Sequence, residues 1–135
     1  MTRRWHGEWG SDHEWKFDLR NMVANWAFLN DHLNDPLQAY DRCAQESERF
    51  LRFIQEWDGL REHNRTAKLI FGFKFGEFRG QQVITQAHVA VEVGDEVYDW
   101  TARQFDPAAP VPKITSVEEF HAEWSPPGDL KKETS

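Results

Sequence analysis

Hydrophobic residues recur at helical spacing along the first part of the chain. From Asp18 onward they follow the i, i+3, i+4, i+7 pattern that places one apolar stripe on a helix. The stripe consists of Leu19, Met22, Val23, Trp26, Leu29 and Leu33. This pattern predicts a helix that ends before Asp35 and Pro36. Residues 1–17 lack a clean period, and we interpret them as an irregular arm held by its tryptophans.

A second helix is predicted directly after the first. Asp35 is suited to cap it, Pro36 suits the first helical position, and Gln38 completes a capping box. The apolar stripe of this helix consists of Leu37, Tyr40, Cys43 or Ala44, Ser47, Phe50, Leu51 and Ile54. Asp58 and Gly59 form the signal that ends it.

Beyond Gly59 the hydrophobic period changes from helical to alternating. A first strand is indicated by the alternating residues Leu69, Phe71, Phe73 and Phe75. A second strand is predicted over residues 83–93 and a third over residues 96–101. The dipeptide Gly94-Asp95 between them is a hairpin signal.

The end of the chain has its own signals. Residues 106–112 contain three prolines, which predicts an extended loop. Ser116 and Glu119 form a capping box, so a short helix is predicted over residues 117–124, followed by a flexible tail over residues 128–135. Helices followed by an antiparallel sheet predict an α+β fold, with the N-terminal helices packed on that sheet in one domain of residues 1–135.

Composition excludes several classes of protein. The 135 residues are 39% hydrophobic and 14% aromatic, which is enough for the core of one domain. The net charge of −7 argues against nucleic acid and anionic membranes as partners, because phosphate contacts need a basic face. No stretch approaches the roughly 18 apolar residues of a membrane span. No apolar run follows the first arginines, so we expect no secretory signal and a cytoplasmic protein.

Cysteine and histidine usage narrows the chemistry further. A single cysteine, Cys43, excludes an internal disulfide and a multi-thiolate zinc site. The six histidines lack the spacing of a metal-binding motif. We therefore expect no metal and no cofactor. On spacing alone, Cys43 is read more readily as a small core residue of its helix than as a nucleophile.

The predicted hairpin gives Cys43 a possible base. If the turn contains two residues, Val93 pairs with Glu96, and His88 and Asp99 become diagonal neighbours on one sheet face. A three-residue turn would place them on opposite faces. The other side of the hairpin carries valines and Trp100, which suit a core. The face with His88 looks too polar for a core and suits a site, where Asp99 orients the imidazole.

The chain order of these residues resembles a known group of families. A cysteine on a helix (Cys43-Ala44-Gln45-Glu46) is followed by a strand that begins with histidine (His88-Val89-Ala90-Val91) and by a strand with aspartate (Tyr98-Asp99-Trp100-Thr101). This order resembles the small bacterial papain-like fold of papain-fold toxin domains, NlpC-like cell-wall peptidases and transglutaminase-like proteins. The resemblance implies that Cys43 is the nucleophile, His88 the base and later the acid, and Asp99 the orienting residue.

Four further residues are candidates for the oxyanion hole and the site wall. Gln38 is a candidate oxyanion donor, second to the backbone N–H of Cys43, and Tyr40 is a candidate wall residue. Thr101 and Arg103 stand beside Asp99, where turn hydrogen bonding and a solvent ion pair are the alternative roles. A helix that continues through Cys43 would remove the thiol from the helix N-terminus, whereas a break near Tyr40 would restore it. The sequence leaves both open.

These residues predict a cysteine-dependent hydrolase or acyltransferase. It would act on an amide or isopeptide bond of a protein or peptide substrate through a thioester, as a peptidase, deamidase or transglutaminase. Toxin or effector domains of the resembling families are one such context. The alternative is a binding or inhibitor protein that keeps the papain-like scaffold without catalysis, because function resides in the site rather than in the fold.

Overall fold

A computed structural model describes residues 7–128 of the chain, and the side chains of residues 14–128. The elements in chain order are helix α1 (Gly7–Leu29), a 3-10 helix (Asp31–Asn34), helices α2 (Pro36–Ala39), α3 (Cys43–Gln55) and α4 (Gly59–Glu62), strands β1 (Ala67–Phe78), β2 (Gln81–Val93) and β3 (Glu96–Asp99), a 3-10 turn (Ala102–Gln104), strand β4 (Lys113–Ser116) and helix α5 (Val117–Glu123). The fold is α+β, as predicted: helices accompany a four-stranded antiparallel sheet of order β1-β2-β3-β4.

The first helix is longer at its N-terminus than the sequence pattern indicates. It begins at Gly7 instead of Asp18, so the prediction of an irregular arm is wrong for residues 7–17. Residues 1–6 of that arm lie outside the described residues. So do residues 129–135 of the tail that the sequence predicts over residues 128–135. The apolar stripe extends back to Trp15, which is 1% exposed and packs against Gly94 in the β2–β3 turn. This long-range contact buries a part of the helix in which hydrophobic residues do not recur at a regular spacing.

The single helix predicted from Pro36 to Asp58 is divided in the structure. Helix α2 ends at Ala39, and α3 begins at Cys43. Between them Asp41 adopts the left-handed backbone region, with φ of 59°, which short polar side chains tolerate better than most. Asp35 caps α2 by accepting a hydrogen bond from the N–H of Leu37 over 3.0 Å. The structure therefore has the break near Tyr40, and the thiol stands at the start of a helix.

The hairpin of β2 and β3 has the predicted register. Val93 pairs with Glu96 and Val91 with Tyr98, so the turn contains only Gly94 and Asp95. Strand β4, which the sequence pattern does not predict, then pairs with β3 and joins directly to α5. The capping box at the start of α5 is confirmed, and this helix extends over Val117–Glu123.

The two faces of the sheet carry separate hydrophobic clusters. The larger cluster lies between the sheet and the N-terminal helices and contains Trp15, Leu19, Val23, Leu33, Phe50, Ile54, Leu60, Val91, Val93, Tyr98 and Trp100. The smaller cluster contains Ile70, Ala90, Val97, Phe120 and Trp124. The expectation that the face with His88 is too polar for a core is wrong. Phe120 of α5 and Trp124, which follows this helix, pack against that face.

The outer edge of β1 is partly closed by the segment that follows α5. Phe73 and Ser125 exchange two backbone hydrogen bonds, of 2.9 and 2.8 Å. One residue earlier, a Cβ atom added to Gly72 would lie 2.3 Å from the Cβ of Trp124. The absence of a side chain at Gly72 is therefore what allows the end of α5 to approach the sheet.

Candidate active site

The thiol of Cys43 lies at the first position of α3. Arg42 stands at the N-cap position and makes no side-chain capping hydrogen bond. One turn further along, the hydroxyl of Ser47 donates a 3.0 Å hydrogen bond to the carbonyl of Val89 in β2. This bond fixes the start of α3 against the strand that carries His88. The N-terminal partial charge of a helix stabilises a nearby thiolate.

His88 and Asp99 form a buried, hydrogen-bonded pair. Nε2 of His88 lies 2.7 Å from Oδ2 of Asp99, and the two residues are 1% and 7% exposed. The second oxygen, Oδ1, accepts a 3.1 Å hydrogen bond from the backbone N–H of Thr101. The prediction that these two residues share a sheet face, with one ring nitrogen towards the carboxylate, is confirmed.

Aromatic side chains hold the imidazole in place. The ring of Phe105 meets the ring of His88 edge-on at a centroid distance of 5.0 Å, and the ring of Trp124 lies 4.9 Å away. Neither residue has a sequence signal for this role. Phe105 lies in a loop, and Trp124 reaches the site only because α5 folds back over the sheet. Together with Asp99 they leave the imidazole little rotational freedom.

The second ring nitrogen of His88 is the one left for the thiol. Nδ1 is buried and makes no hydrogen bond of ordinary geometry. His88 and Cys43 line one cavity, and the thiol is close enough for its interaction with the imidazole to shift the pKa of both groups. The contact is thus looser than a formed hydrogen bond. Catalytic hydrogen bonds are often long or poorly aligned before substrate binds.

The electrostatics favour a charged pair. Interaction with the imidazole of His88 is the largest influence on the Cys43 thiol and, with the backbone of Val89, lowers its pKa against the opposing effect of burial. Burial on its own would lower the pKa of His88, but the hydrogen bond to Asp99 and then the interaction with the Cys43 thiol outweigh it and raise that pKa to about 9. Both directions favour the pair of thiolate and imidazolium over the neutral pair.

The cavity beside the thiol is small and apolar. Its volume is about 230 Å³. Its lining consists of Cys43, Ala44, Phe71, Phe73, Ala87, His88 and Val89. Sequence reasoning missed the two phenylalanines as site residues, because their alternation along β1 is fully explained by a strand. Except for the thiol and the imidazole, the cavity offers hydrocarbon surface to whatever enters it.

The remaining predicted site residues divide into two groups. Thr101 belongs to the site, since its backbone N–H holds Asp99. Gln38 is exposed and Tyr40 is 70% exposed, and neither lines the cavity beside the thiol. Arg103 points elsewhere: its guanidinium donates hydrogen bonds of 2.7 Å each to the carbonyls of Ala109 and Asn34. Arg103 thus ties two loops together instead of forming the wall of the site.

A helix N-terminus supplies backbone donors at the thiol. The first N–H groups of an α-helix have no acceptor within the helix, and in α3 they belong to Cys43 and the residues that follow it. Because Gln38 does not line the cavity, the N–H of Cys43 remains the first candidate for an oxyanion donor.

Two further findings concern residues 7–128. In that part of the chain, no group of three or more His, Cys, Asp or Glu side chains is arranged to hold a metal ion. Nor does any helix of this part combine the length and apolar character needed to cross a membrane.

Comparison of the chain with protein-family models, with curated proteins and with solved structures gave no match. The resemblance to papain-like families therefore rests on the residues Cys43, His88 and Asp99 and on their order along the chain.

Proposed function

We propose that the protein is a cysteine-dependent hydrolase or acyltransferase that acts on an amide or isopeptide bond. The observation that carries this proposal is the position of His88. Its Nε2 is bonded to Asp99 at 2.7 Å, while its buried Nδ1 has no partner of ordinary geometry and shares a cavity with the thiol. A buried polar atom without a partner is costly in a purely structural histidine. A scaffold of papain-like type is part of the same proposal.

The first half of the reaction makes a thioester. The thiolate of Cys43 attacks the carbonyl carbon, and the negative charge moves to the carbonyl oxygen, near the first N–H groups of α3. The carbon–nitrogen bond then breaks as the imidazolium of His88 transfers the proton on Nδ1 to the departing amine. The products of this half are a free amine and an acyl group bound to sulfur.

The second half releases the acyl group. Nδ1 of His88, now unprotonated, takes a proton from water or from an acceptor amine, whose oxygen or nitrogen attacks the thioester. The carbon–sulfur bond breaks, and the thiolate and the imidazolium are restored. Asp99 keeps Nε2 as the protonated nitrogen and stabilises the imidazolium, while Thr101 holds the carboxylate in place.

The cavity supports an apolar group on the acyl side of the substrate. Phe71 and Phe73 form part of its wall beside the thiol, and a volume of about 230 Å³ admits a side chain rather than a large molecule. We expect a protein or peptide whose reacting carbonyl lies next to a large aliphatic or aromatic side chain.

The experiment uses peptides that release a fluorescent amine from a phenylalanine, leucine or aspartate carbonyl. We expect release from the two apolar peptides, a thioester on Cys43 in acid-quenched samples by mass spectrometry, and loss of both with Cys43→Ser. Cys43 is the only cysteine of the chain, so a thioester adduct must map to it. Full release by a folded Cys43→Ser variant would overturn the proposal.

The second candidate is a binding protein without catalysis. Large hydrophobic side chains are exposed on the N-terminal helices, including Phe28 at 81% and Leu37 at 82%. Exposed apolar groups of this size suit a protein partner. Trp124 is 2% exposed and therefore does not contribute to such a surface. A binder would keep its biological effect with Cys43→Ser and lose it with Phe28→Ser.

A further inference from the structure

Two turns supply the halves of the candidate site, and they lie far apart along the chain. The turn between α2 and α3 leads into Cys43, and the turn after β3 follows Asp99. The first turn positions the thiol, and the second positions the carboxylate that holds the imidazole of His88 in β2. The distance between the thiol and the imidazole therefore depends on how these turns are held together. Helix α3 is also anchored to β2 through Ser47, but that bond lies one turn beyond the thiol.

The side-chain amide of Gln104 connects the two turns. Its Oε1 accepts a 3.0 Å hydrogen bond from the backbone N–H of Asp41, and its Nε2 donates a 3.0 Å hydrogen bond to the hydroxyl of Thr101. Only this orientation of the amide satisfies Asp41, because a backbone N–H requires an oxygen acceptor. Gln104 therefore makes one specific bond to each turn.

The bonds of Gln104 continue into the buried pair. The same Thr101 whose hydroxyl accepts from Gln104 donates its backbone N–H to Asp99 at 3.1 Å, and Asp99 contacts Nε2 of His88 at 2.7 Å. A continuous series of hydrogen bonds thus runs from the segment before the nucleophile to the base. At its other end, Asp41 has the left-handed φ of 59° that turns the chain into α3.

We propose that Gln104 is a positioning residue, which sets the separation of the Cys43 thiol and the His88 imidazole. It does so by joining the turn that leads into Cys43 to the turn that holds Asp99, the hydrogen-bond partner of His88. Gln104 contacts neither of the reacting side chains, and it is half-buried. Its bond to Thr101 is partly shielded from water, whereas its bond to Asp41 is exposed. The inference rests on the proposed function in one respect: it assumes that the pairing of thiol and imidazole is what the protein uses.

The charged groups that face this pair come from several elements. The thiol and the imidazole influence one another, and Asp99 acts on both. On its other side Asp99 borders a cavity of about 250 Å³ that Lys113 and Glu123 also line. None of these groups is altered by a change at Gln104. A shift in the titration of Cys43 would therefore report its distance from His88.

The test measures the rate of alkylation of Cys43 by iodoacetamide as a function of pH in the full chain. In the wild type we expect fast alkylation at and below neutral pH. Gln104→Leu removes both hydrogen bonds at similar size. We expect the alkylation midpoint to rise by about one pH unit, so that the rate below it falls about tenfold.

Two further variants separate positioning from general damage. Gln104→Glu keeps an oxygen for the N–H of Asp41 and an acceptor for the Thr101 hydroxyl but adds a negative charge. We expect an alkylation midpoint between those of the wild type and Gln104→Leu, and high salt should bring it closer to that of the wild type. Gln55→Leu is the matched control, because the exposed amide of Gln55 only donates to the carbonyl of Ala67 at 3.5 Å. Its profile should equal that of the wild type, and circular dichroism and thermal melts should show all variants folded.

The possible outcomes distinguish the positioning role of Gln104 from the proposed function. A wild-type profile for folded Gln104→Leu would overturn the role of Gln104 and leave the proposed function standing. Low-pH alkylation that depends on Gln104, with no amide or isopeptide cleaved, would support the positioning role while contradicting the proposed function. A wild-type thiol that titrates like free cysteine would overturn both. If Gln104→Leu fails to fold, Gln104→Glu and Thr101→Val decide, since Thr101→Val removes only the second bond.

Discussion

Nε2 of His88 and Oδ2 of Asp99 lie 2.7 Å apart across one β-hairpin, and both side chains are almost completely buried. A charged carboxylate is costly to bury unless hydrogen-bond donors surround it. Here the donors are the imidazole and the backbone N–H of Thr101. The pair therefore makes the histidine a stronger base than a free imidazole, and it does so beside the only thiol of the chain.

Replacing the carboxylate tests this relationship. Asp99→Asn keeps the size of the side chain but removes the charge that raises the pKa of His88, so that pKa should fall from about 9 by at least about one unit. The measurement is a nuclear magnetic resonance titration of the His88 ring. Amide cleavage should decrease without disappearing. Asp95→Asn, in the exposed turn of the same hairpin, is the control and should leave the titration unchanged.

The pH dependence of stability separates the thiol from the imidazole. His88 has a raised folded-state pKa, so its contribution to the free energy of unfolding is complete below about pH 6.5 and is lost as pH rises through about 9. Cys43 has a lowered pKa, so its contribution is complete above its unfolded pKa of 9.0 and is lost as pH falls. Between these limits the two changes oppose one another.

Denaturant unfolding of two proteins checks this sign argument. Between about pH 6.5 and about pH 9 the free energy of unfolding of the wild type should depend only weakly on pH, because the contribution of the thiol opposes that of the imidazole. Cys43→Ser retains only the histidine, and its free energy of unfolding should fall across the same range, by on the order of 1 kcal/mol or more. Parallel curves for the two proteins would mean that the thiol and the imidazole are not paired.

Double substitution tests whether the thiol and the base act as one unit. Cys43→Ser and His88→Ala should each abolish amide cleavage, since each step of the proposed reaction uses both groups. The double variant should be hardly worse than either single variant. Multiplicative losses in the double variant would show independent roles. Rates of peptide cleavage, with circular dichroism to verify folding, are the required measurements.

Close packing of α5 on the sheet is tested at Gly72. A Cβ atom at this position would lie 2.3 Å from the Cβ of Trp124, whose ring contacts His88. Gly72→Ala should therefore displace the end of α5, lower the free energy of unfolding by about 1–3 kcal/mol and slow alkylation of Cys43. Gly128→Ala, where nothing lies within 4 Å of the added atom, is the matched control.

The parts of the site that depend on local rules were predictable from the sequence. Gly94 and Asp95 between alternating residues specify a two-residue turn, and that turn alone places His88 and Asp99 on one face. The start of α1 was not predictable in this way, because Trp15 is fixed by a contact with Gly94 about eighty residues away. Helical periodicity likewise does not reveal a break at Asp41, since that break depends on backbone conformation.

The apolar cover of His88 also escapes sequence reasoning. Trp124 and Phe105 belong to segments whose patterns describe only a short helix and a loop. Trp124 contacts the imidazole because β4 pairs with β3 and α5 turns back over the sheet. Tertiary packing of this kind leaves no periodic signal in the sequence.

The backbone pair between Phe73 and Ser125 has a consequence for the thiol cavity. Phe73 lines that cavity, and its N–H and C=O groups are occupied by a segment that follows α5. Ser125 thus takes the place of a short neighbouring strand on β1, and the edge is closed to other chains at this residue. A chain truncated so that it ends before Ser125 would leave the edge of β1 unpaired at Phe73, beside the thiol cavity. An extended peptide would then find an unpaired strand edge next to the nucleophile.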